Sequence, residues 1–229
     1  MEPRVVVRRN GPYVVEGDVR LLRTEILQTE HGEPYDWAEG PDFATQAGAA
    51  YELCRCGRSE TKPFCDGVCE RTGFDGTETA DRGTIRDRRE PWDGETVTLY
   101  DDRSLCTHAG FCTNLRTTVW ALAEESGDED AYAEFRGMVS KCPSGRLTFA
   151  MKDAPETDVE PEFEPSIGVE PDASYWIRGG IEVVSEDGTP YEVRNRQTLC
   201  RCGFSGNKPF CDGSHKHKGF SDPAMPSQA

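Results

Sequence analysis

The chain has 229 residues, of which 35% are hydrophobic and 30% charged, so it is long enough for one large domain or for several small ones. Acidic residues give a formal net charge of −16, which disfavours binding of nucleic acid or anionic lipid through a broad basic surface. No apolar run approaches the ~20 residues of a membrane span, and the opening MEPRVVVRRN lacks the apolar core of a secretory signal. We therefore expect a soluble, cytoplasmic protein.

The first region, residues 1–80, is predicted to form short strands followed by a cysteine-rich loop. The segments Val5–Val7, Tyr13–Val15 and Val19–Leu22 are β-branched or aromatic and are separated by turn residues. Four of the ten cysteines follow: Cys54, Cys56, Cys65 and Cys69. Cysteines two residues apart reach disulfide geometry only with strain, and a reducing cytoplasm disfavours disulfides. Metal ligation is therefore the better interpretation.

A second unit, residues 96–152, follows a charged, turn-rich segment. Two groups of apolar residues recur there at helical spacing and are predicted to be core: Val119, Leu122 and Ala123, then Tyr132, Phe135 and Val139. The unit carries three further cysteines, Cys106, Cys112 and Cys142. Residues 153–172 then contain eight acidic residues, four prolines and no Lys or Arg, which predicts an extended linker.

The last region, residues 173–222, repeats the first. CRCGFSGNKPFCDGSH at 200–215 is identical to CRCGRSETKPFCDGVC at 54–69 in eleven of sixteen positions. Strands are predicted before it at Tyr175–Ile177, Ile181–Val184 and Tyr191–Val193. In each motif Asp66 or Asp212 is predicted to be the N-cap of a short helix. The chain thus contains two copies of one small domain, and the first copy is 16 residues longer.

The C-terminal motif supplies three thiolates and one imidazole from a single loop: Cys200, Cys202, Cys211 and His215. The spacing suits tetrahedral zinc or a 2Fe-2S cluster and does not choose between them. The whole string resembles the signature of the CDGSH, or NEET-type, iron-sulfur family. That resemblance implies a 2Fe-2S cluster on these four residues. Single-motif members of the family pair as homodimers that share strands, so we expect the two copies here to pair within one chain.

The N-terminal motif departs from that signature, because Val68 and Cys69 stand where the family has Ser and the ligand His. Four cysteines are the ordinary ligation of 2Fe-2S clusters, so we expect a second such cluster on Cys54, Cys56, Cys65 and Cys69. The alternative is that Cys69 is a buried residue that binds nothing. Replacing imidazole by thiolate adds negative charge, so the N-terminal cluster is expected to have the lower reduction potential.

The middle unit has its own cysteine pattern. Cys106 and Cys112 are six residues apart, and Cys142 precedes Pro143. This resembles a divergent mono-cluster ferredoxin domain in which Ala109 occupies the place of the second ligand. The resemblance implies a 3Fe-4S cluster, or a 4Fe-4S cluster whose fourth iron takes another ligand, for which His108 is the candidate. Zinc and free thiols are the alternatives.

Together these patterns predict an α+β protein with two small β-rich CDGSH-type domains and a ferredoxin-like α+β domain. We expect electron transfer rather than catalysis, and a redox partner such as a reductase or oxygenase. The protein is expected to be a monomer with an internal pseudo-dimer, or a homodimer. Alternatives are cluster storage and transfer, or an enzyme whose open iron binds substrate. Two lesser expectations are a basic patch for an acidic partner, made by Arg201, Lys208, Lys216 and Lys218, and four dispersed tryptophans, Trp37, Trp92, Trp120 and Trp176.

Overall fold

The computed structural model describes residues 2–222. Its strands are β1 (Arg4–Val7), β2 (Tyr13–Glu16), β3 (Arg20–Gln28), β4 (Pro34–Asp42), β5 (Tyr51–Leu53), β6 (Glu90–Asp93), β7 (Val97–Asp101), β8 (Leu147–Met151), β9 (Ser166–Val169), β10 (Tyr175–Arg178), β11 (Glu182–Ser185) and β12 (Arg196–Leu199). Its helices are α1 (Val68–Arg71), α2 (Ile85–Arg88), α3 (Val119–Glu124) and α4 (Glu129–Ser140). Within residues 2–222, none of the helices has the length and apolar character needed to cross a membrane. The predicted α+β class is confirmed.

The two repeated copies exchange strands. β1, β2 and β5 of the first copy form a sheet with β11 of the second, and β9, β10 and β12 of the second form a sheet with β3 and β4 of the first. Both exchanged pairs are parallel, and they place Val5 opposite Val183 and Leu21 opposite Ile167. β9, β10 and β11 are the counterparts of β1, β2 and β3. The predicted pseudo-dimer is therefore present within one chain.

The exchange creates one hydrophobic core that both copies line. Fully buried side chains from the first copy, such as Val5 and Leu21, belong to the same cluster as Ile167 and Val183 from the second. A domain of about 60 residues buries too small a share of its surface to be more than marginally stable. Each copy therefore obtains part of its core from the other.

Two buried tyrosines connect the copies reciprocally. The Tyr13 hydroxyl donates to the Cys200 carbonyl at 2.8 Å, and the Tyr175 hydroxyl donates to the Cys54 carbonyl at 2.9 Å. The two rings meet edge to face, with centroids 6.2 Å apart. Each copy thus supports the cysteine loop of the other copy.

Two sequence-based predictions in this region need correction. Residues 166–169, inside the predicted linker, form β9, because Ser166, Ile167, Gly168 and Val169 are all buried between β10 and β3. Residues 191–193 do not form the predicted strand. Only Pro190 makes a bridge, to Val184, because the chain turns at once toward β12 and leaves Val193 exposed.

The extra residues of the first copy lengthen the hairpin of β3 and β4. β3 has nine residues where its counterpart β11 has four. The hairpin reaches the middle domain, where the Trp37 indole N–H donates to the Lys141 carbonyl at 3.0 Å. Trp37 also packs against Trp176 and Phe111, with ring centroids 4.5 and 5.3 Å away. The sequence predicted four dispersed tryptophans. This prediction is wrong for Trp37 and Trp176, whose rings are in contact.

The middle domain is a three-stranded antiparallel sheet, β6–β7–β8, covered by α3 and α4. The predicted helical core is confirmed for five residues that are buried, namely Val119, Leu122, Ala123, Phe135 and Val139. Tyr132 is partly buried and packs edge to face on Phe149 at 6.3 Å. The loops between β7 and α3 and between α4 and β8 carry this domain's three cysteines.

Arg196 joins the C-terminal copy to the middle domain. Its side chain is fully buried, pairs with Glu160 at 2.6 Å, and donates to the carbonyls of Val139 and Cys142 at 2.8 and 2.9 Å. It thereby satisfies carbonyls at the end of α4 that have no partner inside the helix. A buried cation whose partners are all fixed holds two domains in one arrangement.

We expect Arg196→Met to destabilise the protein by about 3 kcal/mol, near the lower end of the range for breaking a buried ion pair because Glu160 is partly exposed. The measurement is denaturant unfolding of the metal-loaded protein. Arg8→Met is the matched control, since Arg8 pairs with Glu186 at the surface and its loss should cost less than about 1 kcal/mol. Equal losses in the two variants would contradict the anchoring role.

Candidate metal centres

The C-terminal motif brings its four predicted ligands together in a buried loop. The sulfur atoms of Cys200 and Cys202 lie 3.8 Å apart, and the Cys211 sulfur lies 3.4 Å from Nδ1 of His215. All four residues are buried. The loop is held from within, since the Ser205 hydroxyl donates to the Phe210 carbonyl at 2.7 Å.

The N-terminal motif forms an equivalent loop from four thiols. The sulfur atoms of Cys54 and Cys56 lie 3.9 Å apart, and Cys65 and Cys69 belong to the same side-chain cluster. The Ser59 hydroxyl donates to the Phe64 carbonyl at 2.7 Å and closes the loop as Ser205 does in the other copy. Cys69 lies inside the cysteine cluster, so its position fits the fourth donor of the set.

The first cysteine of each motif is the more acidic of its pair. A hydrogen bond from the Cys56 thiol lowers the pKa of Cys54 to about 6, and one from Cys202 lowers the pKa of Cys200 to about 7. The partner thiols, Cys56 and Cys202, have raised pKa values because each donates its proton to that bond. Each Cys-X-Cys pair can therefore hold one thiolate near neutral pH before any metal arrives.

The third cysteine of each motif is less acidic. Burial raises the pKa of Cys65 to about 11 and that of Cys211 well above its ordinary value. A backbone N–H donates to each sulfur at 3.4 Å, from Gly67 and from Gly213. These donors stabilise a thiolate only once a cation supplies the main compensating charge, which is the behaviour of a metal ligand.

Asp66 and Asp212 are not the N-caps that the sequence predicted, because each lies one residue before the observed cap. The N-cap residues are Gly67 and Gly213, both with left-handed backbone. The Asp66 carboxylate accepts from the N–H groups of Val68 and Glu60 at 3.0 and 2.9 Å. Asp212 does the same in the other copy, so each carboxylate ties the two ends of its cysteine loop together.

Two of the four cations predicted to form a basic patch near the C-terminal motif make contacts that support the loops. Arg201 is fully buried and pairs with Asp222, and Arg55, its counterpart, donates to the carbonyls of Arg8 and Gly76. Lys208 donates to the Ser205 carbonyl at 2.9 Å. Arg201 and Lys208 hold the loop in place, whereas Lys216 and Lys218 are exposed, so docking of an acidic partner on this patch stays a prediction.

The three cysteines of the middle domain line one cavity. Cys106, Cys112 and Cys142 surround a space of about 280 Å³ that Ala109 and His108 also line. Burial raises the pKa of Cys112, and the neighbouring Cys142 and Cys106 raise it further. Three thiols around one cavity of this size fit a cluster larger than a single ion.

A buried arginine faces this cavity. Arg146 donates from Nη1 to the Cys106 sulfur at 3.1 Å, and its guanidinium pairs with Asp101 at 2.6 and 2.7 Å. Asp101 fixes the direction of the guanidinium. Sequence reasoning missed both residues, and the only available signal was an arginine four positions after Cys142 in an acidic chain.

His108 lies at the edge of the cavity and also contacts the C-terminal motif. Its carbonyl accepts from Lys216, and its ring lies 6.1 Å from that of His217. Partial burial and the positive charge of Lys216 lower its pKa. Its role as fourth ligand of the middle cluster stays a prediction.

Comparison with protein families agrees with this geometry. A model described as "Iron-binding zinc finger CDGSH type" matches residues 10–68 and 172–216, and one described as "Divergent 4Fe-4S mono-cluster" matches residues 92–152. The chain carries two CDGSH-type iron-binding domains around a divergent 4Fe-4S mono-cluster domain. It is an iron-sulfur protein. A comparison with curated proteins and one with solved structures found no match.

The donor sets of the CDGSH-type domains are arranged in pairs. Two thiolates on one tetrahedral metal ion lie about 3.8 Å apart, because each metal–sulfur bond is about 2.3 Å. Cys54–Cys56 and Cys200–Cys202 have this spacing, at 3.9 and 3.8 Å. Among residues 2–222, no three His, Cys, Asp or Glu side chains converge on one ion position. The residues present thus fit metal atoms that each take two protein donors.

We expect Arg146→Met to lower the reduction potential of the middle cluster on the order of 60 mV, the equivalent of a tenfold change for one electron. The guanidinium donates to a ligand sulfur and favours the more negative, reduced state. Potentiometric titration with electron paramagnetic resonance (EPR) detection measures the shift. Arg103→Met is the control, because Arg103 lines the same cavity but is exposed and screened by solvent. A larger shift for Arg103 would disprove this role.

Proposed function

We propose that this protein is an electron carrier with two 2Fe-2S clusters, one in each CDGSH-type domain, and one 3Fe-4S or 4Fe-4S cluster in the middle domain. The observation that carries the proposal is the direct contact between the two CDGSH-type loops. A Cβ placed on Gly57 would lie 2.7 Å from the Cys202 carbonyl oxygen, and one on Gly203 would lie 2.8 Å from that of Cys56. Ligand-bearing backbones that touch provide a short route for an electron.

The paired donors support 2Fe-2S over zinc in the CDGSH-type domains. In such a cluster each of two irons takes two protein ligands. The pairs would be Cys54 with Cys56 and Cys65 with Cys69 in the first domain. In the second domain they would be Cys200 with Cys202 and Cys211 with His215. A single zinc would need all four donors around one point.

The middle domain supports a cubane-type cluster through its three cysteines and its cavity. Cys106, Cys112 and Cys142 would hold three irons, and Ala109 leaves the fourth corner without a protein thiolate. A 3Fe-4S cluster needs no fourth ligand, whereas a 4Fe-4S cluster would take one from His108 or from solvent. These three cysteines would bind the cluster, and Arg146, which donates to the Cys106 sulfur, would raise its reduction potential.

The redox partner is expected to be a basic protein, since the chain has a formal net charge of −16. A reductase or an oxygenase fits this description. Electron transfer needs only ligated clusters in contact and a docking surface, so we infer a carrier rather than an enzyme.

The first test is the iron, zinc and acid-labile sulfide content of anaerobically purified protein. About seven to eight irons per chain are expected, with matching sulfide. EPR spectra before and after dithionite should show two distinct 2Fe-2S signals on reduction. One to three zinc ions without sulfide would overturn the proposal.

The second test exchanges the ligands that distinguish the two copies. His215→Cys should lower the potential of the C-terminal cluster, and Cys69→His should raise that of the N-terminal cluster, because thiolate adds negative charge relative to imidazole. The two substitutions occupy equivalent positions, so each serves as the control for the other. Shifts in the same direction would contradict the assignment of Cys69 and His215 as ligands.

The same variants test acid sensitivity. Burial lowers the pKa of His215 from its ordinary value of 6.5 to about 4. Below pH 6.5 the His215 imidazole binds a proton in the unfolded chain but stays neutral in the folded chain. Its contribution to the free energy of unfolding is therefore fully present above pH 6.5 and is lost as the pH drops toward 4. Visible absorption should therefore show loss of the C-terminal cluster across this interval. In His215→Cys this acid-induced loss of absorption should disappear. If the variant loses absorption over the same pH range as the wild type, the prediction is wrong.

A further inference from the structure

The two CDGSH-type loops have almost the same backbone but different neighbours. Gly67 and Gly213 occupy equivalent positions, with φ of 77° and 82°. A Cβ on Gly213 would lie 2.3 Å from Cδ2 of His108 and 3.3 Å from the Cys106 carbonyl oxygen. A Cβ on Gly67 would have no atom within 4 Å. The middle domain therefore packs against the C-terminal loop, and Gly67 has open space in the same direction.

Further contacts hold the middle ligand loop on the C-terminal loop. Lys216, next to His215, donates to the His108 carbonyl, and the Asn207 side chain donates to the Ser104 carbonyl at 3.2 Å. Ala109 lines the same groove as His215. Cys106 and His215, ligands of two different centres, thus lie on loops that touch.

Exposure follows the same asymmetry. Cys211 and Gly213 are buried, whereas Cys65 is half-buried and Gly67 is exposed. The C-terminal loop has the middle domain on one side and the N-terminal loop on the other, through Gly203 and Cys56. The N-terminal loop keeps an outward face.

We propose that the three centres form a linear chain in which the C-terminal, His215-bearing centre is the internal junction. One electron passes from a one-electron carrier protein to the outward-facing N-terminal centre, then to the C-terminal centre, and then to the middle centre; each donor is oxidised as the next centre is reduced, and the reverse direction uses the same contacts. This inference rests on the proposed electron-carrier function.

A competing route exists on the opposite side of the middle cavity. Phe111, next to Cys112, packs on Trp37, which packs on Trp176. The neighbouring Tyr175 donates to the Cys54 carbonyl at 2.9 Å. This route would connect the middle centre to the N-terminal centre directly. It crosses several side chains, whereas the contact at Gly213 joins the two ligand loops without an intermediary.

The order is tested by EPR power saturation of the dithionite-reduced full-length protein. A paramagnetic middle centre speeds the relaxation of the 2Fe-2S signal nearest to it. Removing that centre with Cys112→Ala should make the C-terminal signal saturate at lower microwave power and leave the N-terminal signal unchanged. A change confined to the N-terminal signal, or equal changes in both, would overturn the linear order.

A matched glycine pair tests the contact without removing a cluster. Gly213→Ala would place a methyl group against His108 and the Cys106 carbonyl oxygen, so the loops must move apart and the relaxation enhancement of the C-terminal signal should decrease. Gly67→Ala imposes the same left-handed strain in open space and should leave that enhancement intact. Trp37→Phe should leave it intact as well. An enhancement of the N-terminal signal that is present in the wild type and lost in Trp37→Phe would favour the aromatic route.

Metal content separates the two possible failures. Wild-type protein without iron and sulfide would refute the electron-carrier function itself. Wild-type protein with all three centres, whose C-terminal signal does not respond to Cys112→Ala or Gly213→Ala, would refute only the linear order. If Cys112→Ala does not fold, Gly213→Ala decides the question alone.

Discussion

The parallel pairing of β1 with β11 and of β3 with β9 is the constraint on which the rest of this structure depends. Neither copy of the repeat is large enough to bury a complete core, and the exchange supplies each with a strand from the other. The same exchange carries Tyr13 and Tyr175 across the pseudo-two-fold axis, where each hydroxyl holds the opposite cysteine loop. The position of each metal centre is therefore set by residues of the other copy.

Fusion of the two copies in one chain allows them to differ. In a homodimer a substitution at the fourth ligand position would change both centres at once. Here Cys69 and His215 occupy equivalent places in equivalent loops, and one centre has thiolate where the other has imidazole. The fold is tolerant of this exchange because the rest of each loop, from the serine hydroxyl to the aspartate that ties its ends, is unchanged. The difference in reduction potential proposed for the two centres needs no other alteration.

Local sequence was sufficient to predict what depends on local spacing. The ligand candidates lie within short motifs, and the helical core of the middle domain repeats at a fixed interval, so both could be read directly. Features that depend on a partner distant in the sequence could not be predicted in this way. β9 lies in an acidic, proline-rich segment and is a strand only because β3 and β10 flank it. Arg146 and Arg196 have no pattern of their own, and their roles come from the sulfur and carbonyls that the fold places around them.

The asymmetry of the molecule follows from the one place where the copies differ in length. The extra residues of the first copy extend the β3–β4 hairpin. On that hairpin, the Trp37 indole N–H donates a hydrogen bond to the Lys141 carbonyl of the middle domain, and the Trp37 ring packs on Trp176 of the second copy. Arg196 of the second copy holds the same domain from the other side. A single middle domain fixed at both points can cover one of two equivalent loops and not both. The middle domain lies on the His215 loop. The pseudo-symmetric pair of loops therefore has one covered member and one outward-facing member, and this difference makes the two ends of the scaffold distinct.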